Sequence, residues 1–149
     1  NETVDFVCCL YATAPFISAK NLAAGYDLLL RSKQVFVFSA TSYAFPIFRS
    51  VKMNEEEQVD MFWPEHEQTR SQDLPEAFHD AGQFYWGKPE GFLEGKSMFA
   101  SHSSALVLPR YLVQDIDTME DWQRAEMMYE TLLKQDLLIN SNRSSDHLK

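Results

Sequence analysis

Two rhythms of apolar positions run along the chain, and its first third predicts strand, helix, strand. Residues 4–10 are a near-continuous apolar run of Val, Phe, Cys and Leu. Such a run describes a strand covered on both faces, which belongs to a parallel sheet with helices above and below. Thr13-Ala14-Pro15 breaks it. Ser18 is placed to cap a helix in which Leu22, Tyr26, Leu29 and Leu30 recur at helical spacing. Val-Phe-Val-Phe-Ser at 35–39 makes the next buried strand. The unit is then a βαβ crossover, right-handed in a parallel sheet.

The middle of the chain is less regular. Phe45-Pro46 predicts extended structure over residues 43–49, because the residue before a proline avoids the helical region. Residues 51–53 and 59–62 flank a polar Asn-Glu-Glu-Glu turn and predict a hairpin. Residues 65–75 are polar and read as a loop or arm, 81–86 as an aromatic-rich strand, and Pro89 as the first residue of a short helix. Residues 104–108 predict another strand. From Thr118 a long helix is expected, with Trp122, Ala125, Met128, Tyr129 and Leu132 on one face. Residues 1–139 are expected to form one partial domain, with no internal repeat or linker. Residues 140–149 are a polar tail, expected to fray.

With 45% hydrophobic residues in 149, the chain can build a genuine core. Its start, Asn-Glu-Thr running at once into an apolar stretch, is expected of a chain entered in mid-domain. The net charge of −9, with no basic stripe, disfavours nucleic-acid binding, which needs Lys and Arg to neutralise phosphates. An acidic enzyme with a phosphorylated substrate would instead recruit a divalent cation. Cys8 and Cys9 lie inside the apolar run and are expected as reduced, buried thiols of a cytoplasmic protein. No stretch resembles a membrane span or signal peptide, so neither a membrane nor a nucleic-acid partner is expected.

The segment Val113-Gln114-Asp115-Ile116-Asp117-Thr118-Met119-Glu120-Asp121 carries the most chemistry. Residues two apart on an extended segment share a side, so Asp115 and Asp117 can converge while Ile116 packs inward. A cation would relieve the repulsion between two such carboxylates, and Mg²⁺ takes one or two and keeps its other positions for water and phosphate oxygens. Thr118 and Asp121 fit a capping box, which sets the pair at a strand-to-helix turn, where ligands collect in open α/β sheets. The same pattern also fits a surface strand end before a capped helix. The second element is Arg-Ser-Gln-Asp-Leu-Pro-Glu-Ala-Phe-His-Asp-Ala-Gly-Gln-Phe-Tyr-Trp, residues 70–86. The Arg70 guanidinium could grip a carboxylate with two parallel hydrogen bonds, or be an exposed loop arginine. Gly82 would let the backbone approach a ligand closely, and His79 is a possible general base or a structural histidine.

Together these elements resemble the cytidylyltransferases that activate nonulosonic acids, the pseudaminic acid branch most closely. Four blocks carry the resemblance: Cys-Cys-Leu-Tyr-Ala-Thr-Ala-Pro-Phe at 8–16, Tyr-Ala-Phe-Pro-Ile at 43–47, residues 70–86, and residues 114–122. The resemblance implies an α/β fold of the three-layer α/β/α, Rossmann-like nucleotide-diphospho-sugar transferase type with a mostly parallel sheet. It implies CTP and a nine-carbon sugar acid as substrates, Mg²⁺, release of pyrophosphate, and a homodimer. Carried over by motif, Asp115 and Asp117 are the metal ligands and catalytic with Arg70. Tyr11, Thr13, Ala14, Arg70, Gln72, His79, Asp80 and Gln83 line the substrate pocket. The Arg/Gly/Ser/Lys-rich loop with which such enzymes begin is absent here, so this chain is expected to be the C-terminal two-thirds of one, lacking its nucleotide-binding strand and loop. Sialic or legionaminic acid is the alternative sugar, and a silent folding or dimerisation module the alternative role.

Overall fold

The computed structural model describes residues 3–135, and the polar tail at 140–149 lies outside them. The chain divides into two compact units, one of residues 1–41 and 80–149 and a second of Ser42–His79.

The first unit is built on a four-stranded sheet of order β1-β5-β2-β6, with β1 Val7–Leu10, β2 Phe36–Ser42, β5 Phe78–Gly87 and β6 Ser103–Val107. β2 and β6 run parallel, with Phe36 opposite Ser103 and Ala40 opposite Val107. β1 and β5 run antiparallel, with Cys9 opposite Tyr85. The sheet is therefore mixed, where the buried apolar runs predict a mostly parallel one. β5 sits between β1 and β2, so the two strands of the predicted crossover share a sheet without pairing. β1 is an edge strand among the described residues, and Cys9 and Leu10 are exposed while Val7 and Cys8 are half-buried. That corrects the expectation of a strand covered on both faces and of two buried thiols.

Helix α1, Ala19–Arg31, starts at Ser18, whose hydroxyl accepts the Asn21 N–H at 3.2 Å, as the Ncap position requires. It lies against the sheet at Gly25, where an added Cβ would come within 2.6 Å of the fully buried Phe84 ring. The Trp86 indole donates to the Leu22 carbonyl at 3.0 Å beside this contact. Helix α2, Pro89–Leu93, begins with proline as predicted. Helix α3, Met119–Lys134, buries Ala125 and Leu132 against Phe16, with Leu112, Ile116 and Met128 packed around them. Trp122 and Tyr129, on the expected apolar face, stay about half exposed.

The second unit holds the predicted hairpin, β3 Val51–Met53 paired antiparallel with β4 Val59–Met61. Ile47–Arg49, Pro64–His66 and Ser71–Asp73 are 3₁₀ turns. The first replaces extended structure after Pro46, whose restriction on Phe45 does not reach three residues further.

The N-terminus of α3 carries the full capping box. The Thr118 hydroxyl accepts from Asp121 N–H, and the Asp121 carboxylate accepts from Thr118 N–H at 2.9 Å. The Thr118 hydroxyl bond, more than any other contact, holds the Asp121 carboxyl below its ordinary value. The stability it adds is therefore present at neutral pH and is lost as acid protonates the group. Thr118→Ala removes the cap and is expected to cost about 1 kcal/mol, read as a fall in thermal midpoint at neutral pH that shrinks in acid.

Candidate functional site

Three segments of the first unit meet at one end of the sheet. After β1 the chain turns through Tyr11–Ala14, held by the Tyr11 N–H donating to the Gln83 carbonyl at 3.1 Å. Gly82 stands opposite with φ +60°, the left-handed region that glycine enters without steric cost. A Cβ at Gly82 would lie 3.7 Å from Asp115 Cγ and 3.8 Å from Tyr11 Cδ2. These are ordinary packing distances, so it is the backbone angle that requires glycine here, and its neighbours are a candidate metal ligand and a candidate pocket residue. Thr13 Oγ1 donates to Asp115 Oδ1 at 3.5 Å, a long contact that closes the triangle.

Asp115 and Asp117 are both exposed, and Ile116 between them is half-buried against the α3 core. The period-two geometry of an extended segment thus holds, with the apolar residue inward and both carboxylates outward. The Asp115 Oδ1 also accepts its neighbour's Ile116 N–H at 3.1 Å, and Asp117 N–H donates to Asp121 Oδ2 at 3.3 Å. The helix cap therefore holds the backbone of Asp117 directly. Ala14 is buried beneath the turn.

Beside this triangle lies a cavity of about 330 Å³ lined by Cys9, Tyr11, Asp80, Tyr85, Phe92, Met98 and Phe99. Asp80 Oδ1 accepts the Gly82 N–H at 3.0 Å and Oδ2 accepts the Tyr85 hydroxyl. The Tyr85 ring packs against Tyr11 at a tilt of 51°, with centroids 5.1 Å apart. Burial first, and the bond to Asp80 next, push the Tyr85 hydroxyl far above the usual tyrosine range, so it acts as a fixed donor. Tyr85 lines the cavity and is a candidate that strand periodicity conceals. Residues five apart on a regular strand face opposite sides, so Asp80 and Tyr85 should not meet. The Gly82 kink shifts the phase and brings them together, and a glycine inside a strand pattern is the signal that could have revealed it.

The remaining candidates make other contacts. Gln83 is buried at 1% exposure, and its Nε2 donates to the Leu112 carbonyl at 2.6 Å. Arg70, Gln72 and His79 belong to the second unit. Arg70 already grips a carboxylate, that of Asp73, with Nε–Oδ2 at 2.7 Å and Nη2–Oδ1 at 3.2 Å. His79 packs edge-on against Tyr43, with ring centroids 4.9 Å apart. No helix of the described residues is long and apolar enough to cross a membrane.

No family model matches the chain. Individual relatives do. The chain is homologous to cytidylyltransferases over most of its length. More narrowly, two Campylobacter jejuni proteins, from strains 81-176 and NCTC 11168, are 46% and 45% identical to it over 130 residues, 87% of this chain, and both are pseudaminic acid cytidylyltransferases. A Helicobacter pylori protein is 35% identical over 113 residues, 75% of this chain and 22% of its own length. It is both a pseudaminic acid cytidylyltransferase and a hydrolase of UDP-2,4-diacetamido-2,4,6-trideoxy-β-L-altropyranose. The chain spans 56% of the length of the two Campylobacter relatives.

The two adjacent thiols should react unequally. Burial, with Cys9 repulsion second, raises Cys8 to about 11, which keeps it protonated at neutral pH, whereas Cys9 is exposed at the cavity. Brief maleimide labelling at pH 7.5 followed by peptide mass spectrometry is expected to find the label on Cys9, with Cys8 modified at least about tenfold more slowly, as the thiolate is the nucleophile.

Proposed function

We propose that the natural protein activates a nonulosonic sugar acid, pseudaminic acid, with CTP to give the CMP-sugar and pyrophosphate. The observation that carries this reading is the meeting of Asp115, the Tyr11–Ala14 turn and the kinked β5 beside one cavity, in a chain homologous to pseudaminic acid cytidylyltransferases. The three-layer transferase fold belongs to the same proposal. The free Cys8 and Cys9 suit a reducing, cytoplasmic setting.

The donor set suits Mg²⁺. Asp115 and Asp117 offer two exposed carboxylates anchored by inward Ile116, and Mg²⁺ asks the protein for no more than that. Among the described residues, no cluster of three or more His, Cys, Asp or Glu would cage a more demanding ion. When bound, the cation supplies charge neutralisation for the triphosphate. The chain's own residues position the sugar: its anomeric hydroxyl attacks the α-phosphorus in line, the bond to pyrophosphate breaks, and the hydroxyl proton is released. Phe92, Met98 and Phe99 give the cavity an apolar wall that suits acetyl methyls and deoxy positions. The hydrolase substrate named for the Helicobacter relative bears the same groups. Tyr85, fixed by Asp80, and Tyr11 add polar groups to the same lining for the sugar ring.

Arg70 is proposed to hold the sugar carboxylate, with Gln72 and His79 from the same unit as further substrate contacts. Its pair with Asp73 is exposed, so exchanging one carboxylate for another costs little. The guanidinium has five N–H donors, of which Asp73 engages two. The homodimer is supported by the hairpin. Val51, Met53 and Val59 share one of its faces by register and are 56%, 67% and 63% exposed. A two-stranded sheet with an uncovered apolar face is marginal alone, and a second copy would cover it.

Turnover of CTP with pseudaminic, sialic and legionaminic acids by the full natural protein tests the reading, and pseudaminic acid is expected to give the highest kcat/KM. Asp117→Ala should lower kcat at least about a hundredfold, since stabilisation of developing charge is worth that much or more. Wild-type turnover by that variant would remove the metal assignment. Arg70→Ala should raise the sugar KM about tenfold to a hundredfold, the range of a charge-assisted hydrogen-bond pair. Met53→Glu places a charge on the hairpin's apolar face and should shift sedimentation from dimer to monomer.

A further inference from the structure

We propose that Gln83 is a positioning residue that acts through the Leu112 carbonyl to hold the Asp115–Asp117 segment against the Tyr11–Ala14 turn. The inference rests on the reading of Asp115 and Asp117 as the metal-binding pair. Gln83 ties three segments together with three different polar groups. Its backbone N–H donates to Ser39 Oγ in β2 at 3.2 Å, and its carbonyl accepts the Tyr11 N–H at 3.1 Å. Its side-chain Nε2 donates to the Leu112 carbonyl at 2.6 Å. Only the amide nitrogen can bond a carbonyl oxygen, so the orientation of the side chain is set by its partner. Leu112 ends the 3₁₀ turn Arg110–Leu112, and the chain then runs extended through Asp115. Asp115 itself returns to lie over Gly82, the neighbour of Gln83.

The side chain cannot meet a substrate directly at 1% exposure. Its Oε1 is buried with no partner among the described residues. An unpartnered buried acceptor is a standing cost that Met or Leu of similar volume would avoid. A merely space-filling position would be better served by either. What glutamine alone adds is the donor to Leu112, and that donor reaches the one segment carrying both carboxylates. The side chain is thus a brace behind the site, separate from the contacts that hold the sugar.

The test uses Gln83→Met in the full natural protein, followed by hydrogen exchange, thermal denaturation and kinetics. Loss of the brace should speed exchange at Leu112, Val113 and Ile116 about tenfold while α1 amides stay at wild-type rates, the signature of local rather than global opening. The kcat should fall about tenfold or more with the sugar KM within about twofold of wild type, because misplacement of a catalytic group by a fraction of an ångström acts on the transition state. Unchanged exchange at those three amides, or equal acceleration throughout α1 with a falling thermal midpoint, would overturn the brace. If Gln83→Met does not fold, Gln83→Glu decides. Exchange of that variant is read at a pH where direct titration of the new carboxyl shows it ionised. It then keeps the shape and sets only acceptors against the carbonyl, so the same local pattern is expected, and wild-type exchange there rejects the proposal. Exchange needs no substrate. A wild-type protein that turns over none of the sugars would sink the function proposed above, while the exchange data still judge the brace.

Discussion

The candidate site depends on a kink inside a buried strand. β5 runs through the centre of the sheet, and at Gly82 it takes a positive φ that a side-chain-bearing residue would resist. The two amides that follow, of Gln83 and Phe84, both turn to the hydroxyl of Ser39, which is itself wholly buried in β2. A hydroxyl thus takes over bonding that a regular backbone ladder would supply, and no buried amide there is left without a partner. Interruptions of this kind cluster beside active sites because they re-aim side chains.

One wall of the cavity follows from that re-aiming. Asp80 and Tyr85 come to one side and lock each other, which fixes one wall of the cavity. Asp115 and Tyr11 both lie against Gly82, where the positive φ rather than a lack of space calls for glycine. On the other flank, the aspartate segment is held by Ile116 in the α3 core and by the capping box of α3. Those anchors are local and apolar or capping in nature, so the carboxylates need not be held by pairing with cations. Under the function proposed above, two exposed carboxylates facing phosphates would call for a divalent cation as intermediary.

Some of this was legible in the residues. The Ser18 and Thr118 caps and Pro89 at a helix start rest on interactions within about four residues. The hairpin rests on pairs no more than ten apart and the inward Ile116 on the alternation of an extended segment, and each is found where the pattern places it. The strand β1 was misjudged for the opposite reason. An apolar run reports that a strand is suited to burial, but whether both faces are covered depends on its neighbours in the sheet. Here it is an edge strand among the described residues, leaving Cys9 and Leu10 open. The mixed direction of the sheet escaped for the same cause, since antiparallel β5 inserts between β1 and β2 from forty residues further along. Gln83 reads as a pocket residue within its motif, whereas the structure buries its side chain and bonds it to the Leu112 carbonyl, which no local pattern announces.

By itself, the sequence determined the helices and their caps, the amphipathic hairpin, and the two-residue spacing that sends Asp115 and Asp117 outward around Ile116. Motif order also pointed to the cytidylyltransferases that the comparisons bear out as homologues. The tertiary structure alone decided which of these pieces meet. Asp80 finds Tyr85 because a glycine shifts the strand's phase, and Asp115 finds Thr13 across a hundred residues. Periodicity and capping are short-range consequences of backbone geometry, whereas these meetings depend on strand order, a kink and a buried hydroxyl, which exist only once the sheet has assembled.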